Sequence, residues 1–189
     1  ASVVAGETVL VLGAAGGSGA AAIEVAHALG ARVIAVVSDD EKAAFVLSLG
    51  ADAVIDRSLG EVAPRVREFT DGRGVDVVYD PVGGALATDA MAAMASGGRF
   101  LAVGFASGSW ASVDTHRMVR GNWAFVGVYA GANSRADDEV DQRRLIELYE
   151  DGRLRQRATV VEFGDVPFEL QSIADGRAIG KSVVRLAHG

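Results

Sequence analysis

The sequence predicts an α/β fold: a doubly wound parallel sheet of strand order 3-2-1-4-5-6, with helices on both faces and a C-terminal β-α-β tail. Two observations predict it. Apolar strand-like runs alternate with segments of helical periodicity up to Tyr129, which argues for a parallel sheet covered on both faces. The first run, Thr8-Val-Leu-Val-Leu12, also passes straight into a glycine turn, Gly13-Ala-Ala-Gly-Gly-Ser-Gly19, and then into an apolar helix, Ala20 to Leu29.

The remaining elements follow in order. Arg32-Val-Ile-Ala-Val-Val37 is the second strand. Asp40 to Leu49 repeats apolar residues at helical spacing, with Asp40 as its N-cap, and stops at Gly50, a natural C-cap. Ala53 to Asp56 is the third strand, and Leu59 to Thr70 predicts a helix broken or bent near Pro64. Asp71-Gly-Arg-Gly74 turns the chain into the fourth strand, Val75 to Asp80. After Pro81-Val-Gly-Gly84 comes an alanine- and methionine-rich helix, Ala85 to Ala95, closed by Ser96-Gly-Gly98. Arg99 to Gly104 is the fifth strand and Trp123 to Tyr129 the sixth. A helix from Gln142 to Glu150 precedes the tail, which consists of Thr159 to Phe163, a short helix from Val166 to Asp175, and Lys181 to Leu186.

The glycine turn carries the chemistry. Its spacing reads as Gly13-x-x-Gly16-x-x-Gly19 or as Ala14-x-Gly16-x-x-Gly19, the second being the dinucleotide fingerprint with alanine at its first position. Small residues let the backbone turn sharply and approach a ligand. The unpaired N–H groups and positive dipole end of the next helix face negative charge, as a diphosphate requires. The competing role for these glycines is close packing of the first helix on its strand.

Composition narrows the alternatives. A chain of 189 residues, half of them hydrophobic, suits one large domain with a single well-packed core. A net charge of −7 with no basic stripe argues against nucleic acid or an anionic membrane as the main partner. With no cysteine there are no disulfides, thiolate zinc sites or thiol nucleophiles. His27, His116 and His188 fall in a helix, a loop and the tail, a spacing unlike a metal site. No stretch is long and apolar enough to cross a bilayer and the start lacks a signal-peptide pattern, so cytoplasmic is the default expectation. The chain begins without methionine, almost at its first strand, and reads as a piece of something longer.

Several motifs together give a resemblance that covers nearly the whole chain. These are Gly13 to Gly19, Leu49-Gly-Ala-Asp52 with Val54-Ile-Asp56, Gly74-Val-Asp-Val-Val-Tyr-Asp-Pro-Val-Gly-Gly84, Gly97-Gly-Arg99 with Val103-Gly-Phe-Ala-Ser-Gly108, and Ala178-Ile-Gly-Lys181. The sequence resembles the cofactor-binding domain of the medium-chain dehydrogenase/reductase superfamily, in its zinc-independent quinone oxidoreductase (zeta-crystallin-like) branch. That resemblance implies a Rossmann domain over residues 1–152. Residues 153–189 would be a return segment that packs towards an N-terminal GroES-like barrel absent from this sequence, which would leave apolar surface on Val160, Val161 and Phe163 uncovered. It also implies hydride transfer from a reduced nicotinamide to a quinone or enone, with no metal.

The second strand bears on cofactor choice. By count from Gly50, Val37 takes the position where the superfamily's alcohol dehydrogenases carry an acid for the ribose hydroxyls. A valine there leaves space for a 2′-phosphate, with Ser38, Lys42 and Arg57 as donors or counter-charges, so NADP(H) is expected over NAD(H). Asp39 and Asp40 oppose this unless they point to solvent or cap the next helix. The turn residues Ala15, Gly16, Gly17 and Ser18 are expected at the diphosphate. The resemblance adds Val82 near a ribose, Gly104, Phe105 and Ala106 at the nicotinamide, and main-chain groups of Phe125 and Val126 for its carboxamide. It also adds Lys181 for a phosphate. As a strand aromatic, Phe125 reads equally well as a core residue.

Other chemistries lack their residues, and no catalytic side chain is assigned. Tyr79, Tyr129 and Tyr149 are followed at Tyr-x-x-x-Lys spacing by Gly83, Asn133 and Arg153. There is no Gly-x-Ser-x-Gly elbow and no P-loop lysine after Gly19. Asp80 and Asp114 are not brought together by any pattern. Three functions stay open: an NADPH-dependent quinone or enone reductase seen as its nucleotide domain, an enoyl-thioester reductase that is free or part of a polyketide synthase, and a dinucleotide-binding module without chemistry. The apolar run Trp123 to Tyr129, at the sheet edge, is expected to pair with a second copy in a homodimer.

Overall fold

The computed structural model describes residues 3–155 and 158–186; His188 lies outside them. Six parallel strands form one sheet in the order β3-β2-β1-β4-β5-β6, as the alternation of strand and helix predicts. They are β1 Thr8–Val11, β2 Arg32–Val37, β3 Ala53–Asp56, β4 Val75–Asp80, β5 Met94–Ala102 and β6 Ala124–Gly127. The chain order reverses between β1 and β4, so the loops leaving their carboxyl ends part and open a crevice there.

The strand period of two sorts the apolar residues onto two faces. Val9, Val11, Val33 and Ala35 pack with Ile23 and Val46 of helices α1 (Gly17–Ala28) and α2 (Asp40–Ser48). Leu10, Leu12, Ile34 and Val36 pack on the other face with Val66 of α3 (Val62–Phe69) and Met91 of α4 (Gly84–Met91). Because both faces are covered, apolar residues run consecutively through the middle of the central strands, Val9 to Val11 in β1 and Val33 to Val37 in β2.

Several boundaries differ from the sequence reading. Pro64 does not bend a long helix: Arg57–Leu59 form one 3-10 turn, Gly60 breaks the chain at φ +145°, and Pro64 falls in the first turn of α3. A missing N–H breaks no helical bond there. The alanine- and methionine-rich helix ends at Met91, and β5 starts at Met94 and runs through Ser96-Gly-Gly98. Gly97 takes φ +77° and the β4–β5 register shifts between Val75 and Val77, an irregularity that glycine tolerates. Asp39, not Asp40, caps α2, its carboxylate accepting the Lys42 amide at 2.9 Å. A helix the sequence reading lacks, α5 (Thr115–Gly121), is capped by Asp114, so Asp114 serves a helix end and is not paired with Asp80. The helix expected from Gln142 starts earlier, as α6 (Arg135–Glu150), capped by Ser134.

The tail is β7 (Ala158–Glu162), α7 (Val166–Ala174) and β8 (Lys181–Arg185), its strands paired parallel in a separate small sheet. Every buried residue among those described lies at or before Leu101. In the tail Val160 and Phe163 are exposed and Val161 is half-buried, and Phe168 and Leu170 of α7 are exposed as well.

Glu7 and Arg99 tie the amino-terminal edge of the sheet together. Both Arg99 Nη groups donate to the Glu7 carboxylate, at 2.7 and 2.8 Å, with both side chains largely buried. The guanidinium holds the Glu7 carboxyl below its ordinary value. A lowered folded value gives stability that is present at neutral pH and lost as pH falls through that value. Arg99→Met should therefore destabilise the chain by about 1–3 kcal/mol at neutral pH. In urea unfolding, that difference should shrink on acidification.

Candidate nucleotide-binding site

The glycine turn is held from both sides at the reversal of strand order. The Leu12 amide donates to the Tyr79 carbonyl at 3.0 Å and the Ala14 amide to the Val36 carbonyl at 3.1 Å, which anchors the turn to β4 and β2. Gly13 sits at φ +56°, and a Cβ there would come within 2.8 Å of Val82 Cγ2. Gly16 is the extended N-cap of α1 and offers no side-chain acceptor to the first amides of the helix. A Cβ on Gly19 would lie 2.7 Å from Ala14 Cα, so α1 leaves the turn at the closest approach glycine permits.

A cavity of about 790 Å³ crosses the carboxyl ends of the strands at this point. Ala15, Gly16, Gly17 and Ser18 form its middle. Ser38, Lys42 and Arg57, which follow β2 and β3, line one end. Val82 and Ala106, which follow β4 and β5, line the other, and Lys181 enters from the tail. Gly104, Phe105, Phe125 and Val126 are not among its walls. Gly104 is packed on the preceding turn, where a Cβ would come 2.9 Å from the Pro81 carbonyl. The Phe125 ring stacks on Phe100 at 5.2 Å with planes 4° apart, a core role, and Val126 packs on the opposite layer.

Residues the sequence reading passed over complete the site. Tyr79 Oη and Ser18 Oγ are 2.6 Å apart, which fixes the hydroxyl nearest the turn. Gly83 and Ser107 join the β4–β5 end. The tail crosses the middle: the Gly180 amide donates to the Ala15 carbonyl at 2.7 Å, and Gly180 bridges to Gly16. Only the motif Ala178-Ile-Gly-Lys181 signalled this, because contact between the two ends of a chain leaves no local periodicity.

The charges at the β2 end are already organised. Lys42 Nζ donates to Ser38 Oγ at 2.8 Å and to the Gly176 carbonyl at 2.8 Å, and pairs with Asp39 at 2.9 Å. That is three partners for an ammonium with three hydrogens. The Lys42 amide and then its ammonium hold the Asp39 carboxyl down to about 2. Its negative charge is thus turned onto the helix end and neutralised. Arg57 is exposed on the cavity wall with no ion pair among the described residues.

Asp80 underpins the other end. It is fully buried, and its Oδ1 accepts the amides of Val82 at 2.9 Å and Gly83 at 2.8 Å. Oδ2 is buried with no hydrogen-bond partner among the described residues. Burial pushes the carboxyl above its ordinary value, against the opposing pull of the two amides.

Comparison with known proteins agrees with this geometry. The family profile ADH_zinc_N, described as zinc-binding dehydrogenase, matches residues 17–147. The chain belongs to this family. Within it, the chain is a medium-chain dehydrogenase/reductase cofactor-binding domain of the quinone oxidoreductase-like kind. It is 36% identical over 174 residues to a quinone oxidoreductase-like protein 2 of Bos taurus, covering 90% of this chain and 48% of that protein. A Pseudomonas syringae quinone oxidoreductase structure matches with a TM-score of 0.88 at 31% identity, over 97% of this chain and 58% of that one. A mycobacterial protein solved with NADPH matches at TM-score 0.86 and 31% identity, over 97% and 58% respectively. This zinc-binding dehydrogenase domain spans about half the length of the curated relatives it matches. Among its described residues no three His, Cys, Asp or Glu are grouped so as to hold a metal ion. No described helix is long and apolar enough to cross a membrane.

Proposed function

We propose that this chain is the cofactor-binding half of a cytoplasmic, NADPH-dependent oxidoreductase that reduces a quinone or an enone. The observation that carries the reading is the cavity at the reversal of strand order, with the glycine turn in its middle and Arg57 and Lys42 at one end. A dinucleotide suits that arrangement. Its diphosphate would meet the α1 amino end between Ala15 and Ser18, with Lys181 above it. Its 2′-phosphate would meet Ser38, Lys42 and Arg57, and its nicotinamide would lie towards Val82 and Ala106. Bound there in reduced form, the cofactor supplies a hydride, and the acceptor takes a proton from water to complete its reduction.

The protein's own task is position and field. Arg57 can face a phosphate directly, whereas Lys42 must exchange one of its three partners, of which Ser38 and Gly176 are neutral. Residues 153–189 would pack towards a second domain through the uncovered apolar face. Strand β6, with a neighbour on one side only, would pair with a second copy.

Titration of the chain with NADPH and NADH tests the reading. Charge-assisted hydrogen bonds are each worth about 1.5–3 kcal/mol, so NADPH should bind about tenfold tighter or better, and Arg57→Ala should narrow the gap. Equal affinities would overturn the NADP(H) assignment. Absence of binding by either would overturn the reading as a whole.

A further inference from the structure

Beyond β5 the chain exposes an aromatic pair that the cofactor cavity does not use. Phe105 is 48% exposed and Trp110 is 60% exposed, yet their ring centroids are 4.4 Å apart with planes tilted by 31°. Large apolar rings facing water together ask for a partner.

The segment that carries them is firmly seated. The Ala106 amide donates to the Pro81 carbonyl at 3.1 Å and the Ser107 amide to the Val82 carbonyl at 2.9 Å, so the loop rides on the same turn that Asp80 holds. Gly108 closes it with a bond to the Phe105 carbonyl at 2.8 Å. On its far side Ala111 and Val113 pack onto the core. Ala106 and Ser107, between the two rings in sequence, line the cavity. The pair therefore stands beside the β4–β5 end, across β1 from Lys42 and Arg57.

We propose that Phe105 and Trp110 form a stacking platform for the planar, electron-poor acceptor, a quinone or a conjugated enone, beside the nicotinamide end of the cavity. The inference rests on the cofactor orientation proposed above, which puts the reactive ring at this end. Aromatic faces carry negative quadrupoles and favour offset stacking with planar π systems. Neither ring belongs to the core clusters, so the face that each ring turns away from the other is available to a ligand at little structural expense. A flat acceptor is recognised here by its shape and its π face.

The chain holds only two tryptophans, which makes the test direct. Trp123 is half-buried and donates its Nε1 proton to the Ala95 carbonyl at 3.0 Å. Trp123→Phe leaves Trp110 as the sole reporter, and Trp110→Phe leaves the control. If Trp123→Phe does not fold, the difference in emission between the unsubstituted chain and Trp110→Phe reports the same signal. With NADP⁺ saturating, so that no reduction occurs, 1,4-naphthoquinone should quench Trp110 emission along a saturating curve. It should quench Trp123 only linearly, as collisions do. Phe105→Ala should raise the midpoint about tenfold, the scale of one aromatic stacking contact.

Linear quenching of equal slope at both tryptophans would overturn the platform, and so would a midpoint unmoved by Phe105→Ala. NADPH binding is read separately from nicotinamide fluorescence on the same variants, without NADP⁺ or quinone. Binding of NADPH without saturable quenching removes the platform alone. Loss of NADPH binding removes the cofactor reading on which it rests.

Discussion

Gly19→Ala should abolish tight NADPH binding and destabilise the chain together. The added Cβ would lie 2.7 Å from Ala14 Cα, and what it meets is backbone, which has no rotamer by which to yield. Helix α1 must then move away from β1, whose neighbours β2 and β4 hold the turn in place through Ala14 and Leu12. Overpacking of this kind typically costs about 1–3 kcal/mol. For a chain of this size that is a fall in Tm of roughly 2–12 °C. The displaced helix end also loses its aim at the diphosphate. Loss of a single charge-assisted bond weakens binding at least about tenfold. Thermal unfolding and NADPH titration of the variant check both effects. A Tm within about a degree of the unsubstituted chain with unchanged affinity would mean that the helix does not need its close approach.

The second large effect is expected at Asp80, where two substitutions should part company. Asp80→Leu strands the buried amides of Val82 and Gly83, which now share Oδ1. Each unsatisfied group costs about 1–3 kcal/mol, so the variant should lose about 2–6 kcal/mol and roughly 4–24 °C in Tm. Asp80→Asn keeps the acceptor and should stay within about 1 kcal/mol.

The pH dependence at this site follows from burial. The folded carboxyl titrates above its ordinary value, so the folded chain holds that proton more tightly than the unfolded chain does. Its contribution is fully present below the unfolded value and is lost as pH rises through the folded one. Asparagine has no such proton to lose. Urea unfolding across the acid range should show the unsubstituted chain losing stability relative to Asp80→Asn as pH rises. A constant difference between the two would show that the carboxyl titrates alike in the folded and unfolded chains, and a difference of the opposite slope that its folded value is lowered. This is opposite in sign to Glu7, whose bond to Arg99 is lost on acidification.

Much of the site was legible because its parts are local. The fingerprint around Gly16 is a run of neighbours, and the β1–turn–α1 unit it builds depends on contacts a few residues apart. The cations at Lys42 and Arg57 followed from counting to the ends of the second and third strands. What escaped was set by distant partners. Tyr79 reaches Ser18 from β4, and Lys42 is tied to Gly176 from the tail. Asp39 rather than Asp40 caps α2, a one-residue choice between adjacent aspartates that backbone geometry makes and composition does not. Phe125 could be read as a core residue or a cofactor neighbour, and its ring is stacked on Phe100.

From residue order alone came the class of fold, the strand order and the place of the glycine turn. Apolar periodicity and glycine spacing encode these within windows of ten or so residues, and right-handed crossovers leave little freedom in joining them. The tertiary structure alone decided how the charges at the β2 end are neutralised, that the tail lies across the glycine turn, and that Phe105 and Trp110 meet in the open. Those depend on which surfaces face one another after the chain has closed, and a hydrogen bond between residues 42 and 176 leaves no trace in either local pattern.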